Sequence, residues 1–362
     1  MKKQILFIGS FLIPKNGHYG GVYFASTSLR DKMVSEGFEV IELDTTLKDI
    51  SVTKVSKRLS TIIARSFRFL KIILLSPKAK TIFIFVSRGN SYLDKFPSFI
   101  LAKFLRKKII LFPLSGHLIE DFEKPFYIFF IKKILNSSTY IICQSTYWKN
   151  YFKSKGVPTK KLKTVENWVP NETIKTSRRI DFGNFDINKD KCFRMVYVSR
   201  IEIAKGINDI VEAAKTIPKG LIFKIDIFGE GAYKDEFIKL IKHERLEEVI
   251  NYKGWLDNSK MQATLNKYHL ALFTSRVEGY PNSLLDFIFS KIPVIAYDIP
   301  SVRAVGQEYT LYYKDISSLV SKIVICYNDY ENICLSTKKL YKIKRERNNI
   351  AFTFSQLENF LK

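Results

Sequence analysis

The stretch from Leu270 to Pro300, LALFTSRVEGYPNSLLDFIFSKIPVIAYDIP, decides how this chain is read. Leu270 to Thr274 is a short apolar run of strand character. Residues 275–281 form a polar loop punctuated by Gly279 and Pro281. Asn282 or Ser283 can cap a helix that carries Leu284, Leu285, Phe287, Ile288 and Phe289. Pro293 then opens a second apolar strand, PVIAY. Strand, loop, helix and strand in this order make one unit of a parallel α/β sheet. Glu278 lies in the loop and Asp286 about one turn into the helix. Open α/β sheets bind ligands beyond the carboxyl ends of their strands. A helix N-terminus there offers free N–H groups to a phosphate. Two carboxylates around a phosphate cradle suit a sugar nucleotide, because each can accept from adjacent sugar or ribose hydroxyls.

Upstream, Cys192 to Ser199 reads as another strand and runs into Ser199-Arg200-Ile-Glu-Ile-Ala-Lys205-Gly206 before a helix. Arg200 and Lys205 put two cations on one loop, which suits a diphosphate both bound and departing. Phe223–Phe228 followed by Gly229-Glu230-Gly231 is strand and turn. Ile250–Trp255 is a further strand and turn. Residues 316–345 read as helical, and so do residues 353–361.

The first half repeats the βα alternation. Gln4–Ser10 is a buried strand, followed by the loop Asn16-Gly-His-Tyr-Gly20-Gly21. A helix from about Val22 to Glu36 should stop at Gly37, with a strand over 38–43. The glycine pair lets backbone approach a ligand with no Cβ in the way. The loop lacks the G-x-G-x-x-G spacing of a dinucleotide site. Further strands fall at 81–87, 108–114 and 140–143. His117 follows one of them directly, at a place where a histidine is either structural or functional. Residues 171–191 are polar and read as a linker.

Length and charge bound the rest. A chain of 362 residues suits two domains. Its composition is globular, at 46% hydrophobic and 26% charged residues. Cys143, Cys192, Cys326 and Cys334 show no C-x-x-C or metal-ligand pattern, so neither disulfides nor a structural metal are expected, and the location expected is cytosolic. The basic start and apolar run at the N-terminus read as a first strand, since Pro14, Lys15 and Asn16 break the run and no small-residue cleavage site follows. No run is long enough for a transmembrane helix.

The net charge of +24 is uneven: residues 1–180 hold 32 Lys and Arg against 12 Asp and Glu, and residues 181–362 hold 27 against 23. An anionic partner for the first half is expected: membrane lipid, nucleic acid or a polyanionic substrate. Eight Lys and Arg and no acid lie from Lys54 to Lys80. At 100° per residue the basic side chains of 54–71 share one arc and the apolar ones fill the other. Such a helix either packs on the domain's sheet with a solvated basic face or lies on an anionic membrane surface. Residues 96–108 and 126–135 also mix aromatics with lysines.

EGYPNSLLD followed by KIPVIAYD resembles the E-x7-E signature of retaining, GT-B-fold glycosyltransferases, most closely family 4. The resemblance spans nearly the whole chain and is stronger in the second half. It implies an α/β fold of two Rossmann-like, doubly wound domains facing a cleft. The implied divisions are 1–170 for the acceptor, 171–191 as linker, 192–345 for the nucleotide sugar, and 346–362 as a helix crossing back. In the family the first acid binds the transferred sugar, a place Glu278 matches, with Gly279 beside it. The second binds the ribose; here that place holds Asp286, one methylene shorter than the family's Glu. Arg200 and Lys205 match the cations on the diphosphate, and Asn282 and Ser283 the helix start beside it. Gly20 and Gly21 match the glycine pair near donor sugar and phosphate, and His117 the histidine near the sugar's 6-hydroxyl.

The implied catalytic set is Glu278, His117, Arg200 and Lys205, with no metal and no cofactor beyond the nucleotide-sugar donor. The implied reaction is front-face transfer with retention from a nucleotide-diphosphate sugar, with UDP the expected nucleotide. The acceptor is expected to be a glycan or polyprenyl-linked glycan of cell-surface polysaccharide assembly, at the inner face of the cytoplasmic membrane. Three rivals stay open. One is a nucleic-acid-binding protein, which the charge allows but no RNP, KH, zinc or helix-turn-helix signature supports. Another is an inactive binding module on the same fold, raised by Asp286. The third is a sugar-nucleotide 2-epimerase.

Overall fold

A computed structural model describes residues 3–13, 21–46, 55–87, 89–177 and 192–361. The chain divides into two units, Met1–Trp168 with Ile350–Lys362, and Val169–Asn349. The first unit contains β1 (Gln4–Gly9), α1 (Gly21–Ser35), β2 (Glu39–Asp44), α2 (Val55–Leu75), β3 (Thr81–Val86), α3 (Gly89–Phe104), β4 (Lys108–Pro113), α4 (Leu118–Glu123), α5 (Pro125–Ser137), β5 (Tyr140–Cys143), α6 (Thr146–Ser154) and β6 (Leu162–Thr164). The second contains α7 (Asn171–Ser177), β7 (Phe193–Val198), α8 (Asn208–Thr216), β8 (Phe223–Phe228), α9 (Lys234–His243), β9 (Ile250–Gly254), α10 (Met261–Leu265), β10 (Leu270–Phe273), α11 (Asn282–Phe289), β11 (Val294–Tyr297), α12 (Pro300–Gly306), β12 (Leu311–Tyr313), α13 (Ile316–Asn328) and α14 (Tyr330–Arg347). The chain then returns to the first unit with α15 (Ile350–Leu361).

Each unit is built on one six-stranded sheet, in the orders β2-β1-β3-β4-β5-β6 and β12-β11-β10-β7-β8-β9. Every pairing between these strands is parallel. A parallel sheet is covered on both faces, so its strands need apolar residues at every position and lose period-two alternation. The TIFIFV of β3 and the LALF of β10 are buried throughout for this reason.

In the first unit, Leu6, Ile82 and Ile109 pack on one face against Phe69 of α2, Phe99 of α3, Ile131 of α5 and Phe152 of α6. The opposite face presents Phe7, Phe83, Phe85 and Phe112 to α1 and α15. Phe7 meets Phe83 and Phe85 edge-on at 5.1 and 5.2 Å, a favoured aromatic geometry. α1 ends where glycine was expected to end it. Gly37 has φ +85°, and Phe38 N–H donates to Met33 O at 3.1 Å, closing the turn.

Two details differ from the sequence reading. Residues 316–345 form two helices, because Asp329 leaves helical geometry at φ −126°, ψ 41°. The stretch read as a linker begins with a helix, α7, whose Ile174 packs into the second unit's core; residues 178–191 lie outside the described residues. All four cysteines are free. No described helix is long and apolar enough to cross a membrane.

Candidate active site

The order of the second sheet reverses at β7. From there β8 and β9 build outward on one side, and β10, β11 and β12 on the other. Ala271 in β10 pairs with Val196 in β7 and Val294 in β11. The loops leaving β7 and β10 therefore diverge from neighbouring strand ends, which opens the crevice where such sheets bind ligands. The first of these loops carries Arg200 and Lys205, and the second carries Glu278.

The loops are fastened by backbone as well as side chains. Thr274 Oγ1 donates to Lys205 O at 2.7 Å, and Arg276 N–H donates to Ala204 O at 3.0 Å. Gly206 allows this approach. Its φ is +64°, and a Cβ there would stand 2.1 Å from Thr274 O.

Lys205 Nζ lies 2.7 Å from Glu278 Oε1 and donates to Val277 O at 3.3 Å. Both side chains are largely buried, at 10% and 14% exposure. An ammonium has three donors, so one stays available toward a ligand anion. Arg200 is more exposed, and its Nη1 donates to Glu202 Oε1 at 2.7 Å. Gly279 and Tyr280 are buried. Tyr280 Oη accepts from Asn348 Nδ2 at 2.8 Å, which ties this loop to the end of α14.

Asn282 and Ser283 form the first turn of α11, partly exposed, with no acid among them. Their N–H groups are the anion-favouring end of that helix. Asp286 stands in the next turn. Burial pushes its carboxyl up to about 7, although some surface remains. Its carboxylate makes no hydrogen bond among the described residues. Its backbone carbonyl accepts from Ser290 N–H at 2.9 Å.

A brace that no local motif announces holds the Glu278 loop from behind. Arg276 Nη2 reaches both oxygens of Asp209, at 2.8 and 2.7 Å. Tyr313 Oη donates to the same carboxylate at 2.7 Å. The Arg276 guanidinium also lies 3.9 Å from the Tyr297 ring centre. Burial works against that guanidinium's charge, but Asp209 outweighs it and holds the group above its ordinary value.

The remaining sequence-derived candidates lie in the first unit. Gly21 is the exposed first residue of α1, and Gly20 lies outside the described residues. His117 precedes α4, and its Nδ1 is 2.9 Å from Glu120 Oε1. Among the described residues, no group of three or more His, Cys, Asp or Glu could hold a metal.

These two parallel units define an α/β protein of the GT-B fold. Residues 179–335, most of the second unit, match the family described as Glycosyl transferases group 1. Similar proteins include the poly(ribitol-phosphate) alpha-N-acetylglucosaminyltransferase of Staphylococcus aureus, 34% identical over 104 residues, 28% of this chain and 21% of that one. The chain covers 16% to 57% of the length of the named relatives it matches. Among solved structures, sucrose-phosphate synthase of Thermosynechococcus elongatus superposes with a TM-score of 0.75 at 16% identity over 99% of each chain. Anabaena Alr3699/HepE in complex with UDP superposes at 0.72 and 13% identity, covering 100% of this chain and 99% of that one.

Proposed function

We propose that the chain transfers a sugar, with retention, from a nucleotide-diphosphate sugar to a glycan or lipid-linked acceptor of cell-surface polysaccharide. The observation that carries this reading is the buried Lys205–Glu278 pair at the strand-order reversal, beside the start of α11. Glu278 would accept hydroxyls of the transferred sugar while orienting Lys205. The free ammonium donor, Arg200 and the α11 N–H groups would meet the diphosphate and stabilise the charge that develops as it leaves. Asp286 would accept from the ribose hydroxyls. For Gly20, Gly21 and His117 we propose the donor-sugar roles that the resemblance implies, and no metal is assigned a role.

UDP is the proposed nucleotide, supported by the Anabaena neighbour, which was solved with UDP and with UDP-glucose. The S. aureus relative, named for a poly(ribitol-phosphate) acceptor, supports an acceptor of the cell envelope. We place the reaction at the membrane surface, in keeping with the basic first half.

The test is donor turnover over a panel of UDP- and GDP-sugars, with and without lipid-linked acceptors. A UDP-sugar should be consumed, and Glu278→Ala should abolish turnover. Full activity in that variant would remove the site assignment.

A further inference from the structure

The helices on one face of the first sheet leave large apolar side chains in the open. α3 packs on both α2 and α5, so the three form one continuous layer. On or just beyond them, Phe67 is 69% exposed, Leu75 71%, Phe104 82%, Phe126 61% and Phe129 55%. Burying these would gain free energy, yet among the described residues nothing covers them.

The charge of the layer is one-sided. The only carboxylate within α2, α3 and α5 is Asp94, and it is buried 3.1 Å from Lys95. Lys71, Lys103, Arg106, Lys132 and Lys133 are exposed on or beside the same helices. Lys133 Nζ lies 5.7 Å from the Phe129 ring centre, so cation and ring present themselves together. Nearby, burial and then the fields of Lys103 and Lys160 hold the Lys161 ammonium below its usual value, as expected of crowded cations.

We propose that α2, α3 and α5 form a docking face for an anionic lipid bilayer. The phenyl and leucyl side chains enter the headgroup boundary, and the lysines reach lipid phosphates with their stems along the apolar layer. A nucleic acid would satisfy the cations and could stack on the rings, but it gains little from Leu75 or Ile100. A second copy of the chain would bring two basic faces together, which is repulsive. The proposal deepens the membrane-side reading of the reaction, and its test is independent of turnover.

The experiment is flotation of the full chain with vesicles of phosphatidylcholine alone and of phosphatidylcholine with phosphatidylglycerol. Two variants accompany it: Phe67→Ser with Phe104→Ser and Phe126→Ser, and Lys103→Glu with Lys132→Glu and Lys133→Glu. All six positions are exposed, and thermal unfolding checks the fold. The wild type should float with the anionic vesicles, less at high salt and less with the neutral ones. Each variant should bind the anionic vesicles about tenfold more weakly or worse. UDP titration separates the two readings: a chain that floats but ignores UDP retains the docking face and loses the donor assignment. The proposal is overturned if the wild type floats with neither vesicle, or if both variants float like the wild type. It is also overturned if RNA binding alone depends on the lysines, or if the face drives self-association without vesicle binding.

Discussion

Lys205 Nζ and Glu278 Oε1 stand 2.7 Å apart although 73 positions separate them in the chain. Neighbouring strands β7 and β10 bring them together, and burial makes the contact costly to break from one side. Lys205→Met and Glu278→Gln should each lower kcat/KM for the donor by about 10²–10³-fold, roughly 3–4 kcal/mol. The double variant should lose less than the sum of the two, because the residues act as a unit. Steady-state donor turnover measures both.

Asp286 makes stability depend on pH. Its carboxyl is raised to about 7 by burial, against about 3.9 when unfolded. Between those values the folded chain holds a proton that the unfolded chain has released. Stability therefore falls as pH rises through that window, and the full penalty is present above it. Asp286→Asn should stabilise the protein by on the order of 1–2 kcal/mol at pH 8 and by little at pH 4. Denaturant unfolding at the two pH values tests this. If the ionised carboxylate accepts ribose hydroxyls, the same substitution should weaken UDP binding most at alkaline pH.

Gly206→Ala should be among the most damaging single changes outside the core. The new methyl would meet Thr274 O at 2.1 Å, on a backbone already at φ +64°. We expect a loss of about 2–4 kcal/mol and separation of Lys205 from Glu278. Thermal unfolding and UDP calorimetry should both register it.

Asp209→Asn tests the brace. Arg276 would lose an ionised bidentate partner, and Tyr313 a charged acceptor. A cost of about 1–3 kcal/mol is expected, with KM for the donor rising because the Glu278 loop is held less firmly. Unchanged stability and unchanged KM would mean that the brace does not support the loop.

Much of this arrangement can be read from residue order. Apolar runs bounded by glycine and proline mark β10, α11 and β11, and Arg200, Lys205 and Glu278 stand out as charges in loops after strands. Strand order is not legible in this way, because contacts between β7 and β10 leave no local trace. The pairing of Asp209 with Arg276, 67 positions apart, is hidden for the same reason. The break at Asp329 lacks glycine or proline, so the residue pattern runs through it as one helix. Asn171–Ser177 reads as a linker because six of its seven residues are polar, yet Ile174 packs into the core and the buried Ser177 Oγ lies 3.0 Å from Tyr341 Oη.

The chain leaves the first unit after Trp168 and re-enters it at Ile350, and these crossings are stitched together, with Val169 N–H donating to Asn348 O at 3.0 Å. On the ribosome, the whole second unit is therefore made before α15 emerges. Until then Leu29, Met33 and Phe38 lack the helix that covers them, with Phe354 and Leu357 still to come. The second unit is continuous in sequence and can close first, while the first unit waits, one apolar face uncovered, for its last helix. A stop codon placed after Asn349 should thus leave a soluble second unit attached to a chaperone client.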